Sequence, residues 1–434
     1  MHGGRVAAEH STRVRRAACL AAACAGLAAL VLLRRAEDVS PALPRPCAGD
    51  SACAAPPLPC PLPYTSDTRV APHLPLCASA LGEAASSATG EWPLVHDPDT
   101  WTLRAPVRLA LDLSPCWPRS NGVAVPAHSV VVSAHNAGGV LERTLSSLLS
   151  TTSGTWELLL TLDGCTDDSL AAALRALGNA SLVAAARGLV RARVLEQPTA
   201  VWETSSDNAG MARAHPRATH LLLVQADMVL TEPGWNVRLA LPTTLFEDVW
   251  AVSARDAHNA ALGRGERTPG YNITQQRNLD VAPSVAELAQ SARVVSIRDV
   301  VNRGPLALRA DVARALGFLN ERDFYIRHDE HDLVLRAHER FRLKACKYLV
   351  GWYSPPSDGA SRAKHRLARR SAREWAYLLY RTARQRRAAR RTPLRQAARM
   401  PPWDEERAVD PNALQLALER AEAQAVMTCA PEER

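Results

Sequence analysis

The sequence predicts an α/β fold: a mixed, mainly parallel sheet flanked by helices. Three stretches predict it. In Thr219-His-Leu-Leu-Leu-Val-Gln-Ala-Asp-Met-Val-Leu230 an apolar run, Leu221 to Val224, ends abruptly in Gln225-Ala226-Asp227. Ser129-Val-Val-Val-Ser133 runs in the same way into Ala134-His-Asn-Ala-Gly-Gly139, and Trp156-Glu-Leu-Leu-Leu-Thr-Leu162 into Asp163-Gly-Cys-Thr-Asp167. Short continuous apolar runs bounded by turn residues are strands buried on both faces, as in parallel sheets. Ligands of such sheets sit beyond the carboxyl ends of the strands, so three strands here deliver polar groups to one rim.

Taken in order, the chain opens with a charge-free stretch, residues 17–33, bracketed by Arg13, Arg15 and Arg16 before it and Arg34 and Arg35 after it. About 17 apolar residues is the lower limit for spanning a bilayer. A cleaved signal peptide needs small residues at its cleavage site, and Leu33-Arg-Arg35 supplies none. An organellar transit peptide is amphipathic, and this stretch is uniformly apolar. The expectation is an uncleaved signal anchor with residues 1–16 cytosolic, a single-pass type II protein of the Golgi or endoplasmic reticulum membrane.

Residues 34–125, rich in Pro and Cys, carry neither helical nor strand period in their first part and are expected to form a stem. Eight cysteines lie beyond the span, an even number that fits disulfides in an oxidising lumen. The sequons at Asn179 and Asn272 agree with a lumenal location.

From residue 126 to 355 strands and helices alternate. Helices are expected over Val140–Leu149, Ser169–Leu177 and Asn208–Ala214, with strands at Val194–Gln197 and Trp250–Ala254. After Asn302-Arg-Gly-Pro305 follow a strand at Leu306–Arg309, a short helix from Asp311, and a helix opened by Asp329-Glu-His-Asp332. Acids there cap the helix N-terminus, but this run of four exceeds what capping needs. Residues 356–434 read as a basic helical extension: between 361 and 400 there are 14 Lys and Arg against the single acid Glu374. The net charge of +8 is therefore local and does not by itself indicate nucleic acid. The extension is either a helix packing one face on the domain or a contact for an anionic surface.

The rim lacks both G-x-x-x-x-G-K-[ST] and a G-x-G-x-x-G after a strand. A diphosphate bound there needs another partner, and a divalent cation, Mg²⁺ or Mn²⁺, on the strand-end carboxylate Asp227 is the economical one. Taken alone, a strand-end Asp is a turn residue more often than a ligand.

Ser129-Val-Val-Val-Ser-Ala-His-Asn136 resembles the opening strand of family 2 glycosyltransferases, which have the nucleotide-sugar-binding GT-A fold. Asp163-Gly-Cys-Thr-Asp167 is similar to that family's D-D-G-S-T-D turn, Asn208-Ala-Gly210 to its N-x-G, and Gln225-Ala-Asp227 falls at its D-x-D. Asn302-Arg-Gly-Pro305 and Asp329-Glu-His-Asp-Leu-Val-Leu-Arg336 fall at its acceptor segment and its E-D-x-D-L-x-x-R. The order matches from Ser129 to Phe341. The resemblance implies a metal-dependent, inverting transfer from a nucleotide sugar, with UDP-sugars foremost, to a glycan, protein or lipid hydroxyl. It implies nucleotide-sugar contacts for His135, Asn136, Asp163 and Asn208, and acceptor-side roles for Arg303 and Gly304, with Asp332 structural or acceptor-side. It makes Asp227 a metal ligand and Glu330 the base, with Asp329 beside it; His365 is a further candidate metal ligand. The site departs from the family in Gln225, which replaces the first acid of D-x-D, and in Leu162, which stands where the first Asp of D-D-G-S falls. The reversed Asp329-Glu330 order keeps both residues as candidates. These departures support a rival reading, a non-catalytic member that binds glycans or scaffolds Golgi enzymes. A basic-tail protein binding nucleic acid or membrane is the second rival, and a lumenal location argues against nucleic acid.

Overall fold

A computed structural model describes residues 91–92, 107–113, 125–186, 188–198, 200–255, 257–258, 280–326, 328–355, 382–391 and 403–429. The anchor expected at 17–33, Cys47, Cys53, Cys60, Cys77 and Cys116, the sequon at Asn272 and His365 lie outside these residues. No helix among the described residues is long and apolar enough to cross a membrane.

Four parallel strands form the centre: β3 (His128–Ala134), β4 (Trp156–Asp163), β5 (Leu189–Gln197) and β6 (His220–Gln225), in the spatial order β5-β4-β3-β6. Beyond β5 lies β2 (Val107–Leu113), antiparallel to it, and then β1 (Glu91–Trp92), antiparallel to β2. Beyond β6 the order is β12 (Leu306–Arg309), β8 (Val249–Ser253), β13 (Lys344–Lys347), β10 (Val294–Arg298) and β15 (Glu405–Ala408). The β12 strand runs antiparallel to both its neighbours, so the sheet is mixed outside its parallel centre. Two short ladders stand apart: β7 (Val229–Leu230) with β14 (Trp352–Tyr353), and β9 (Ala257–His258) with β11 (Val300–Val301).

Alternation along β3 shows why the sheet is covered on both sides. Val130 and Val132 pack with Leu141, Leu145 and Leu148 of α1 (Gly138–Thr151) and with α2 (Ser169–Gly178). Val131, pointing the other way, packs with Met211 of α4 (Trp202–Met211), α7 (Ala310–Ala315) and α8 (Asp329–Phe341). The α3 helix (Ala180–Ala185) follows α2 and is capped by Asn179, whose side-chain oxygen accepts from Leu182 N at 3.2 Å. The α5 helix (Trp235–Leu245) lies on the α1 side, and α6 (Val285–Ser291) opens with a Ser284–Glu287 capping box.

The structure corrects several expectations. Strand β2 falls inside the span read as stem, 34–125, yet it pairs with β5 as part of the sheet. The α4 helix begins at Trp202 rather than Asn208, because its cap comes from Asp163, far away in sequence. The extension 356–434 is not only helical: β15 pairs with β10 at the sheet edge, and α9 (Pro411–Cys429) lies on α5. At Gly234, held at φ +75° before α5, an added Cβ would lie 2.3 Å from Leu418 Cδ2 of α9, so a side chain there would collide. Cys165 and Cys346 carry free thiols rather than entering disulfides, and burial pushes the Cys346 thiol well up.

Candidate functional site

A cleft of about 520 Å³ opens where β3, β4 and β6 end, at the carboxyl rim of the parallel centre. His135 follows β3 and lines it; the His135 ring is tied to the Asp163 carbonyl oxygen through Nδ1 at 2.5 Å. Its ring lies 6.0 Å from Trp202, which meets Tyr325 edge-on at 5.7 Å. Asn136 turns the chain with φ +49°, and its side-chain oxygen accepts from Thr166 N at 2.7 Å. It therefore binds the next rim turn and is not part of the cleft lining.

Asp163 also lines the cleft, but its carboxylate has a structural task. Its two oxygens accept from the backbone N–H groups of Val201 at 2.7 Å and Trp202 at 2.9 Å. Trp202 has φ +76°, an uncommon conformation for an aromatic residue, and the cap holds it there. Asp167 works similarly between two helix starts, accepting from Gly138 N and Ser169 N at 3.0 Å each. Although its partial burial opposes ionisation, these bonds and the one from the Ser169 hydroxyl hold its carboxyl below the usual range.

Adjacent acids of α8 separate because successive helical residues point about 100° apart. Glu330 faces the cleft and is 5% exposed; Asp329 is fully buried behind it. Glu330 Oε2 is buried with no hydrogen-bond partner, and Oε1 lies 3.4 Å from Arg303 N. Asp329 accepts from Thr204 Oγ1 at 2.6 Å and from the Arg303 guanidinium. Burial pushes the Asp329 carboxyl up to about 8, against the pull of Arg303. Of the two residues left open as base, the geometry leaves only Glu330 in contact with the cleft.

Besides Asn136, three more of the residues expected to meet the acceptor or the nucleotide sugar lie outside the cleft lining. Asp332 accepts from Arg336 Nε at 2.8 Å, one helical turn on, and is absent from the cleft lining; burial raises its pKa. Gly304 also lies outside the lining and permits a close backbone approach, since a Cβ there would sit 2.4 Å from Arg255 Cβ. Asn208 donates to Leu319 O at 2.8 Å and Glu321 Oε1 at 2.6 Å, and its oxygen accepts from Leu319 N at 3.0 Å. It pins the loop after α7 and does not line the cleft.

Arg303 does border the cleft, but as the hub of buried carboxylates rather than a free acceptor contact. Its Nη1 is 2.6 Å from Asp207 Oδ2 and 3.2 Å from Glu203 Oε1, and Nη2 pairs with Asp329. Burial opposes its charge, yet Asp329, Asp207, Glu203 and Glu330 together hold its pKa above the usual value. Asp207 also accepts from Ser133 Oγ at 2.6 Å, and burial raises its pKa to about 7 despite Arg303. Gln225, at the position of the absent acid, donates to Glu203 Oε1 at 2.6 Å. Glu203 and Asp207 went unnoticed in the sequence, although their i,i+4 spacing would have put them on one helical face had α4 been started at Trp202.

Asp227 sits in the turn after β6 and lines the same cleft as Glu330. No group of three or more His, Cys, Asp or Glu able to hold a metal stands together among the described residues. The donor set therefore does not suit a cation caged by protein alone. Asp227 is the one expected metal ligand that the described residues place on the cleft.

Residues 129–232 match the model of the family described as Glycosyl transferase family 2. No protein with a curated description matches the chain. Among solved structures, the mannosyltransferase PcManGT from Pyrobaculum calidifontis with GDP-Man and Mn²⁺ is 14% identical, with 73% of this chain and 91% of that chain covered, at a TM-score of 0.37. GalNAc-T7 with UDP, GalNAc and Mn²⁺ is 14% identical over 53% and 45% of the two chains, at 0.38. TarS 1–349 of S. aureus is 13% identical at 0.35; 52% of this chain is covered, and the chain spans 60% of that one.

Proposed function

We propose that the chain is an inverting glycosyltransferase moving a sugar from a nucleotide sugar, foremost a UDP-sugar, to a hydroxyl of a glycan, protein or lipid. One observation carries the reading: Glu330, one of whose carboxylate oxygens is buried without a hydrogen-bond partner, lines the cleft that also holds Asp227, at the carboxyl rim of the parallel strands. The family match over residues 129–232, which hold all four strand ends of that rim and Asp227 but not Glu330, supports it. Glu330 takes the proton of the acceptor hydroxyl as that oxygen bonds to the anomeric carbon from the face opposite the leaving group. The bond from the anomeric carbon to the diphosphate breaks, and its electron pair leaves with the nucleotide. Asp227 would hold a divalent cation, which supplies charge neutralisation for the leaving diphosphate. His135, which lines the cleft and is backed by the buried Trp202, is assigned to the nucleotide in this reading. In this reading residues 17–33 anchor the protein in a Golgi or endoplasmic reticulum membrane with the cleft in the lumen.

Calorimetric titration of the detergent-purified chain with UDP, with and without Mn²⁺, tests the proposal. The expected result is Mn²⁺-dependent binding that weakens at least tenfold in Asp227→Ala. Glu330→Gln is expected to bind UDP as the wild type does. No binding of UDP or GDP under either condition would favour the non-catalytic, glycan-binding reading.

A further inference from the structure

We propose that the basic helix over 382–391 is the outer acceptor-binding wall of the cleft and selects an anionic saccharide; this rests on the transferase reading above. The helix is fastened to the loop that leads into α8. Gln385 Oε1 accepts from Tyr325 N at 3.0 Å and Ile326 N at 3.2 Å, while its amide nitrogen donates to the Ile326 carbonyl. Thr382 Oγ1 and Tyr325 Oη lie 2.9 Å apart, and Arg384 Nε donates to Asp323 Oδ1 at 3.0 Å. Ile326 and His328 of that loop line the cleft beside Glu330.

Glu330, His328 and Ile326 thus line the cleft, and the basic helix is bonded to the Tyr325–Ile326 backbone beside them. An acceptor whose hydroxyl reaches Glu330 lies along this wall, and its next sugars meet the helix. Arg386, Arg390 and Arg391 are exposed there. Arg384, which pairs with Asp323, is only half-buried, and Arg386, Arg390 and Arg391 are not the residues that fasten the helix to the loop. Guanidinium groups recognise carboxylate and sulfate oxygens by paired hydrogen bonds, which favours uronic or sulfated sugars. A helix serving a membrane surface would need no such ties to the backbone of a cleft loop, and these ties decide between the two occupants.

The test compares the full chain with R386E/R390E/R391E and with R143E/R217E/R420E, which makes the same charge change at exposed arginines on other elements. The probes are a heparin-derived hexasaccharide, maltohexaose as the neutral control, and phosphatidylcholine vesicles containing phosphatidylserine. Binding is followed by calorimetry at fixed salt, with UDP and Mn²⁺ titrated separately. The proposal expects the sulfated hexasaccharide to bind at least tenfold tighter than maltohexaose. It expects a loss of at least tenfold in the first variant, less than threefold in the second, and UDP affinity within twofold of wild type in both. Equal losses in the two variants would overturn it, as would vesicle binding lost in the first variant with no saccharide binding. A chain that binds the hexasaccharide but not UDP would leave the wall in place and sink the transferase reading instead.

Discussion

The division of labour between Asp329 and Glu330 is the sharpest statement the molecule makes at the scale of single residues. Both were legible as a cluster of acids at a helix start; which one faces the cleft was not, because that depends on where the helix is rotated by its packing. Glu330→Gln keeps the shape and removes the proposed proton acceptor, so under the proposed function turnover is expected to fall by at least a hundredfold with UDP binding unchanged. Steady-state rates beside UDP calorimetry check this, and equal loss of both would assign Glu330 to folding. Asp329 gives a different signature. Burial raises its folded pKa to about 8, above its unfolded value, so the folded state binds the extra proton between the two. Its contribution is then fully present below the unfolded pKa and is lost as pH rises toward about 8; Asp207, raised to about 7, acts in the same direction. Wild type is expected to lose on the order of 2 kcal/mol between pH 5 and pH 8.5, and Asp329→Asn to flatten that slope. Urea unfolding at a series of pH values measures it; parallel slopes in the two proteins would refute the assignment.

At the scale of elements, β3, β4 and β6 were readable because a strand buried on both faces leaves a short apolar run that ends in turn residues. The α4 helix was not. Its sequence, Trp202-Glu-Thr-Ser-Ser-Asp-Asn-Ala-Gly-Met211, has little apolar period, and its N-terminal cap is Asp163 at the end of β4, a partner no local motif announces. With the helix started six residues late, Glu203 and Asp207 fell in a loop, and the buried cluster around Arg303 stayed hidden. Two variants probe this element. Asp163→Ala leaves two buried N–H groups without acceptors and is expected to cost about 2 kcal/mol, whereas Asp163→Asn should keep part of that. Gly210→Ala places a Cβ 2.5 Å from Val131 Cγ1, a stiff, fully buried side chain on β3. The overpacking is expected to cost about 1–3 kcal/mol. Denaturant midpoints decide both cases, and a Gly210→Ala protein as stable as wild type would mean that α4 lies further from the sheet than described.

The whole molecule differs most from its sequence reading at the C-terminal end. A run of arginines and alanines suggested an appendage, but the residues after it complete the sheet. Trp403 is 7% exposed, stacks edge-on against His338 at 4.6 Å and receives the Lys344 ammonium at 5.5 Å. Arg407 of β15 forms a two-pronged pair with Asp248, at 2.5 and 2.8 Å, tying the edge strand to the turn before β8. Val409 and Ala425 are buried as well. These contacts span the far edge of the sheet and α5, and their sequence signal is weak because an edge strand as charged as Glu405-Glu-Arg-Ala408 carries no apolar alternation. Ending the chain at residue 400 strips all of them and exposes the flank of β10. Removing the burial of Trp403 and Val409 alone is expected to cost about 4–6 kcal/mol, a large share of the stability of an ordinary domain. Trp403→Ala should cost about 3–5 kcal/mol, and Arg407→Ala about 1 kcal/mol, because that pair is partly solvated. Thermal unfolding of the three variants should therefore rank truncation as the most damaging, then Trp403→Ala, then Arg407→Ala. A truncated chain that melts with wild type would restore the appendage reading, and the helix over 382–391 would then have to hold its place on the cleft loop through Gln385, Thr382 and Arg384 alone.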